Sequence, residues 1–521
     1  DVRNLCVKAR QAQEEFKEFT QEEVDRVVAA MANAGFRESE RLAKLAVSET
    51  GYGNVPDKTR KNQFCTRDLY ESIRDLRTVG VIGEDRKNKI LEIAEPMGVV
   101  AAIIPTTNPT STAMFKTIIS LKARNGVVIS PHPRAANCIK ETTNVMIDAA
   151  ISEGAPEGLI GVIPTSTLQA TNELMRHRDT DVILATGGSG LVKAAYSAGK
   201  PAYGVGPGNV PAYIDRSADY KKAVADLVAG KSFDYGTLCS SEQAIIVDAP
   251  LKNRVVGLLK QQGAYFLNED EIRMLGRVLV TPEFRINPEL VGKPPPVLAK
   301  AAGFEVPGGT KVLIAELPGV GRQYPLSAEK LSPTFVFYTA NGCEEGARRC
   351  TEILNFGGRG HTAVIHAKND DVIRNFGLHV PAFRVVVNSP ASIGAVGYTN
   401  NLMPSMTLGC GTYGGNITSD NITAHHLMSI KRVAYETKPL SMPRNGTTWK
   451  ATIYHDWQHR DASYTKALSS DVSRKGSGAA PVKRDRAEES VEPTGSGKFG
   501  SSGMSESEVE QVVEEFMRNK G

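Results

Sequence analysis

The sequence predicts an α/β fold of two lobes, and three observations carry that prediction. Short apolar runs without polar alternation, such as Val99-Val100-Ala101-Ala102-Ile103-Ile104, read as strands buried on both faces. Stretches with helical spacing alternate with these runs, the order that builds a doubly wound parallel sheet. The alternation resumes near Pro211 and continues to Gly411, so a second α/β lobe and a cleft between the lobes are expected.

From Val2 to Arg77 the chain is polar and helical in pattern, with breaks near Thr20, Gly35 and Gly51-Tyr52-Gly53, and it reads as a layer of outer helices. Thr20 followed by Glu23 has the spacing of a capping box. Strand character then runs through Ile90–Pro105, followed by a helix over Thr110–Lys122, a strand at Val127–Ser130, a helix to Ser152 and strands at Ile160–Ile163 and Val182–Ala185. In the second lobe, helices at Lys221–Gly230 and Leu251–Gln261 accompany strands at Lys311–Ile314 and Arg384–Val387. After Pro439 the apolar periodicity weakens, and Gly476–Gly503 is too rich in Gly, Ser, Pro and charge to order itself. Beyond that linker, Ser505–Met517 opens with a capping box and repeats apolar residues at helical spacing. Such a short helix needs a surface for its Val/Phe/Met stripe, and the long tether favours an external partner over the parent domain.

With 521 residues, 41% hydrophobic and 23% charged, the chain has material for substantial cores, and a net charge of +4 with interspersed signs leaves no electrostatic footprint for nucleic acid. Small-molecule chemistry is therefore expected. Seven cysteines without any C-x-x-C argue against a disulfide framework or a zinc site, so a reducing compartment and no metal are expected. No run approaches the length of a membrane helix, and no basic-then-apolar leader opens the sequence.

The residues that could carry chemistry follow turns. Cys239 lies after a glycine-containing turn and ahead of Ala244-Ile245-Ile246-Val247, which places a thiol on a loop at the edge of a sheet. From this stretch it is as much a buried filler as a nucleophile. Asn108, in Pro105-Thr106-Thr107-Asn108-Pro109, stands at the carboxyl end of a strand, where an amide can donate to a developing oxyanion. Thr186-Gly187-Gly188-Ser189-Gly190 follows a strand and opens a helix, an arrangement that suits a pyrophosphate. Ser130-Pro131-His132-Pro133 ends another strand, where an adenosine could lie.

Six segments in order, Ile104–Thr112, Ser130–Arg134, Phe233–Gln243, Glu329–Pro333, Gly360–Ala363 and Leu408–Asn416, resemble the coenzyme A-acylating branch of the aldehyde dehydrogenase superfamily, over Val24 to Tyr435. The resemblance implies the aldehyde dehydrogenase fold. It would have a Rossmann-like cofactor domain at 1–207 with an oligomerisation strand at 78–97, a catalytic domain at 208–412, and a return at 413–465 that includes an oligomerisation segment. A flexible linker at 466–504 and a terminal helix at 505–521 would complete it.

By the same resemblance, Cys239 is the nucleophile, and Asn108 with the Cys239 backbone N–H forms the oxyanion hole. NAD, with NADP as the alternative, would lie against Thr106, Thr107, Ser130, His132, Pro133, Thr186, Gly187, Gly188, Ser189, Gly206, Glu329 and Pro333, with Glu329 holding the nicotinamide ribose. The informative departure is at Gly204–Pro211. Hydrolytic members carry a water-activating glutamate there, whereas nothing between Tyr203 and Tyr213 can ionise to do that. The acceptor is then coenzyme A, with His361 the candidate for deprotonating its thiol because imidazole titrates in the useful range.

The expected reaction oxidises propionaldehyde or acetaldehyde to its acyl-CoA. Two rivals are a hydrolytic enzyme that releases a free acid, and a mainly structural assembly subunit. The resemblance further implies a homo-oligomer, dimer or tetramer. The terminal helix resembles encapsulation peptides that bind microcompartment shells, which would place a cytoplasmic protein inside a bacterial microcompartment, without membrane or nucleic-acid partners.

Overall fold

The computed structural model describes residues 1–438, and the expected linker and terminal helix lie outside them. Strand β1 (Gly80–Asp85) and strand β2 (Ile90–Pro96) form an antiparallel hairpin, so the stretch 78–97, expected as one strand, contains two. Next come β3 (Val99–Ile103), β4 (Gly126–Ser130), β5 (Ile160–Val162), β6 (Val182–Thr186) and β7 (Ala202–Val205). These make a parallel sheet in the order β5-β4-β3-β6-β7. The chain steps outward from β3 to β5 and returns to β6, so a crevice opens where β3 and β6 lie side by side. Lys116, fully buried, clamps that point by donating to the carbonyls of Ile103 and Leu184, each at 2.8 Å.

A second parallel sheet uses β8 (Val210–Ile214), β9 (Glu242–Asp248), β10 (Ala264–Phe266), β11 (Val312–Glu316), β12 (Thr334–Ala340), β13 (Gly360–His366) and β14 (Ala382–Val387). Its order is β10-β11-β12-β9-β8-β13-β14. The run after Cys239 is thus the central strand, and the thiol stands on the loop at that strand's amino end, where the sheet ends. A strand whose seven residues are all buried needs a neighbour on each side. Strand β15 (Met428–Ala434) crosses back to pair antiparallel with β2, completing a three-stranded sheet that leaves Val81 and Val433 exposed.

The N-terminal helices are not merely an outer layer. The capping box forms, with Thr20 accepting from the Glu23 amide and the Glu23 carboxylate accepting from the Thr20 amide. The helix Val55–Gln63, capped by Asn54 with Pro56 in its first turn, turns Lys58 and Lys61 inward, where both are buried. Polar composition suggested a solvated face, but a buried carboxylate draws the two ammonium groups in. Among the described residues no helix is long and apolar enough to cross a membrane.

Candidate active site

The loop ahead of Cys239 is held in an unusual backbone shape. Asp234, Tyr235 and Gly236 have φ of 46°, 50° and 74°, three successive residues in the left-handed region. Two of them carry side chains, so the conformation is costly and must be held from outside. At Gly236 a Cβ would lie 2.8 Å from the Ser332 carbonyl oxygen, which leaves no room for another residue. The Asp234 carboxylate ties the loop down. It accepts from the Asn54 amide at 2.9 Å, Lys58 Nζ at 3.0 Å, Thr237 Oγ1 at 2.5 Å and Lys61 Nζ. Burial pushes Asp234 up, but Lys58 and Lys61 outweigh it and hold the carboxyl below its ordinary range.

Asn108 meets this loop from the first lobe. It is the N-cap of the helix Pro109–Lys122, which is buried on every face and carries a proline at its first position. Its Nδ2 donates to Thr107 Oγ1 at 3.1 Å and, weakly, to the Thr237 carbonyl at 3.4 Å, two residues before Cys239. Thr106 beside it is buried, and the Thr107 carbonyl accepts from Lys58 Nζ at 3.0 Å. Along the Leu238 side runs a cavity of about 300 Å³ whose walls include Phe64, Phe233, Ile393, Val396 and Met406, with Lys61 also lining it.

Against the Cys239 carbonyl lies the loop from Gly206 to Gly208. A Cβ on Gly208 would sit 2.1 Å from the Cys239 carbonyl oxygen and 3.4 Å from His361 Cδ2, so this glycine is wedged between the cysteine and the imidazole. A Cβ on Gly206 would meet only open space. Although the loop itself has no ionisable side chain, one reaches it from afar: the Gly208 amide donates to Glu329 Oε1 at 3.1 Å. Glu329 is buried. Burial raises it to about 8, against the pull of the Gly208 amide and Lys231. The Cys239 residue is partly exposed, yet burial of its thiol, with Glu329 adding to the effect, pushes it up to about 12.

His361 departs from its expected role. Burial and the nearby Arg384 guanidinium push its imidazole down to about 3, so it does not titrate in the useful range in this arrangement. Its Nδ1 pairs with Thr362 Oγ1 at 2.9 Å, and its Nε2 is buried without a partner. Arg384 anchors the segment by donating to the His361 carbonyl at 2.9 Å.

The remaining expected residues lie around the crevice of the first sheet. Ser130 is buried at the end of β4 and shares a 2.8 Å hydrogen bond with Thr171, while His132 and Pro133 are exposed. Thr186 ends β6, Gly187 donates to the Val205 carbonyl at 3.3 Å, and Gly188 caps the helix Ser189–Tyr196. Cβ atoms on Gly188 or Gly190 would again meet open space, so the helix amino end has room for a phosphate beside its free amides. Pro333 is buried, and its carbonyl accepts from Leu313 at 2.9 Å in the second sheet.

Sequence reasoning missed Lys58, Lys61 and Asp234, whose only local signal was an acid two residues before Gly236. It also missed Lys231 and Glu242, fully buried behind Glu329. Burial moves both toward neutrality, the lysine down to about 7 and the acid up to about 7.

The model of the aldehyde dehydrogenase family matches residues 1–268. The bifunctional aldehyde-alcohol dehydrogenase of Escherichia coli is 42% identical over 83% of this chain and 49% of its own length. The chain thus spans about half the length of the first curated relatives it matches. The acetylating succinate-semialdehyde dehydrogenase of Clostridium kluyveri is 37% identical over 86% of this chain and 98% of that protein.

Among solved structures, an acetylating aldehyde dehydrogenase from Geobacillus thermoglucosidasius superposes with a TM-score of 0.83 and 53% identity, covering 85% of this chain and 97% of that one. A propionaldehyde dehydrogenase from the fucose utilisation microcompartment of Clostridium phytofermentans gives 0.75 and 28%, covering 84% and 97%. The propionaldehyde dehydrogenase of Rhodopseudomonas palustris, solved with CoA and an acylated cysteine, gives 0.74 and 26%, covering 83% and 97%.

Proposed function

The chain belongs to the aldehyde dehydrogenase family, and on that premise we propose that it oxidises a short aliphatic aldehyde to an acyl-CoA through a thioester on Cys239. The observation that carries the proposal is the loop beside the thiol: Gly206 faces open space and Gly208 has no room for a side chain, so no residue of the loop supplies a base for water. The names of the similar proteins, acetylating in two cases and solved with CoA in another, support the same acceptor.

The aldehyde enters by the cavity on the Leu238 side, and the Cys239 sulfur adds to its carbonyl carbon. A thiol pushed up to about 12 needs a base, and Glu329, at about 8, is the nearby carboxyl that can take the proton. The new oxyanion is held by Asn108 Nδ2 and the Cys239 backbone N–H, each such donor contributing about 3 kcal/mol. The open amino end of the helix Ser189–Tyr196, with Thr186, Gly187 and Ser130 beside it, fits the phosphates and adenosine of a nicotinamide dinucleotide, and Thr106, Thr107, Gly206, Glu329 and Pro333 would flank its other half. When bound, NAD or NADP supplies the acceptor for the hydride that leaves the thiohemiacetal carbon.

The acyl group then passes from Cys239 to CoA, a thiol-for-thiol exchange with little net energy change. In its Nδ1–H tautomer, His361 offers the unpartnered Nε2 as an acceptor that orients the incoming S–H. Glu329, having released the first proton to solvent, then takes the proton of the CoA thiol as its sulfur attacks the thioester and returns it to the departing Cys239 sulfur. This assigns His361 an aligning task in place of a titrating one.

A test is to mix the protein with propionaldehyde and NAD in the absence of CoA and weigh the peptide that contains Cys239. A propionyl adduct on Cys239, discharged by CoA, is expected; a peptide of unchanged mass after NADH has formed would reject the mechanism. Placement in a microcompartment is a further part of the reading. It rests on the terminal helix expected from the sequence, which lies outside the described residues, and on similarity to an enzyme of the fucose utilisation microcompartment. Deleting Ser505–Gly521 should abolish co-sedimentation with shells and leave activity intact. The exposed sheet of β1, β2 and β15 is proposed to pair copies of the chain.

A further inference from the structure

Asn108 can serve as an oxyanion donor only if its amide points the right way round, and the two ends of a carboxamide are nearly alike in shape. We propose that Lys61 is a positioning residue for the reaction, whose ammonium holds the Asn108 carbonyl end and so turns the Nδ2 hydrogens toward the oxyanion of the Cys239 adduct. Lys61 Nζ donates to Asn108 Oδ1 at 2.6 Å. An ammonium has donors and no acceptor, so it selects the oxygen end and excludes the flipped amide. The inference rests on the reading of Asn108 given above.

The surroundings fit this task. Lys61 is buried, and its ammonium also bonds to the Asp234 carboxylate and lies 3.4 Å from Thr237 Oγ1. Lys58 takes the neighbouring position, bonding to Asp234 at 3.0 Å and to the Thr107 carbonyl at 3.0 Å. The same carboxylate that holds the left-handed turn ahead of Cys239 therefore holds the cation behind Asn108, which couples the nucleophile's loop to the oxyanion donor. A positive charge on the amide oxygen also draws electrons from the nitrogen, so its hydrogens become stronger donors. The Nδ2 bond to the Thr237 carbonyl is long, at 3.4 Å, which leaves donor capacity for an incoming oxygen.

The experiment is a double-mutant cycle with propionaldehyde, NAD and CoA, using Lys61→Met, Asn108→Ala and both together. If Lys61 acts through Asn108, Lys61→Met lowers kcat about 30-fold with KM within about 3-fold, and changes kcat by less than about 3-fold when Asn108 is already alanine. Equal losses in the two backgrounds, or no loss beside an intact Asn108, overturn the inference. Full activity of Asn108→Ala alone would instead reject Asn108 as donor. NAD binding by calorimetry and the alkylation rate of Cys239 by iodoacetamide report whether each variant is folded. Where Lys61→Met is not, Lys61→Gln, whose neutral amide can still donate to Oδ1, enters the same cycle with a loss of about 10-fold expected and the same overturning outcomes.

Discussion

The Gly208 amide donates a 3.1 Å hydrogen bond to Glu329 Oε1, joining residues 121 positions apart beside the Cys239 thiol. The bond brings a carboxyl to a loop that has none. Burial raises that carboxyl to about 8, so at neutral pH it is mostly protonated and its basic form grows as the pH climbs. If Glu329 takes the thiol proton, the aldehyde-dependent burst of NADH should rise through about pH 8 and then level off. Glu329→Gln should remove that inflection and slow the burst by about 100-fold, within the range expected of a general base. An unchanged pH profile in the variant would exclude Glu329 from the proton transfer.

Gly206 offers the converse experiment. Its β position faces open space, so Gly206→Glu can be accommodated where hydrolytic members carry their carboxylate. The variant should acquire steady NADH formation from propionaldehyde without CoA, at least about 10-fold above the parent, as a positioned base for water would give. Acid release measured alongside NADH decides the matter, and CoA-independent turnover no higher than the parent's would mean the loop does not control the acceptor.

Asp234 is the keystone of the buried charges. Removing it as Asp234→Ala leaves Lys58 and Lys61 buried near each other without their shared partner, which should cost about 3–5 kcal/mol in denaturant unfolding. Since the folded carboxyl is held below its ordinary range, its contribution is present at neutral pH and lost as the pH falls through its folded value. The variant's stability should accordingly approach that of the parent in acid. A difference that stays constant with pH would show that Asp234 acts through packing and not charge.

Much of this was legible in sequence because it is local. The buried run Val99–Ile104, the asparagine after it, and the cysteine ahead of Ala244–Val247 each declare themselves within a dozen residues. The positions of Asn108 and Cys239 in the fold followed from those patterns. What was not legible depends on distant partners. Lys61 and Asp234 meet across 173 positions, and nothing in a polar helix says that two of its lysines turn inward. No residue between Tyr203 and Tyr213 can ionise as a base, as the local stretch itself displays, whereas the carboxyl that arrives there from Glu329 is a spatial neighbour that leaves no mark on that stretch. His361 was assigned an ordinary imidazole range, which its burial against Arg384 removes.

Cys239→Ala should abolish NADH formation from propionaldehyde to below about one part in a thousand while NAD still binds, since the thioester forms on the Cys239 sulfur. Activity that survives the substitution would point to the structural-subunit reading, or to another nucleophile.

On the proposed mechanism the acyl group leaves Cys239 to CoA and not to water. Steady-state NADH production from propionaldehyde, followed with and without CoA in thiol-free buffer, tests it most directly. Without CoA, one burst stoichiometric with enzyme is expected, and sustained turnover once CoA is added, with propionyl-CoA formed one for one with NADH. Comparable sustained turnover in the absence of any thiol would contradict it.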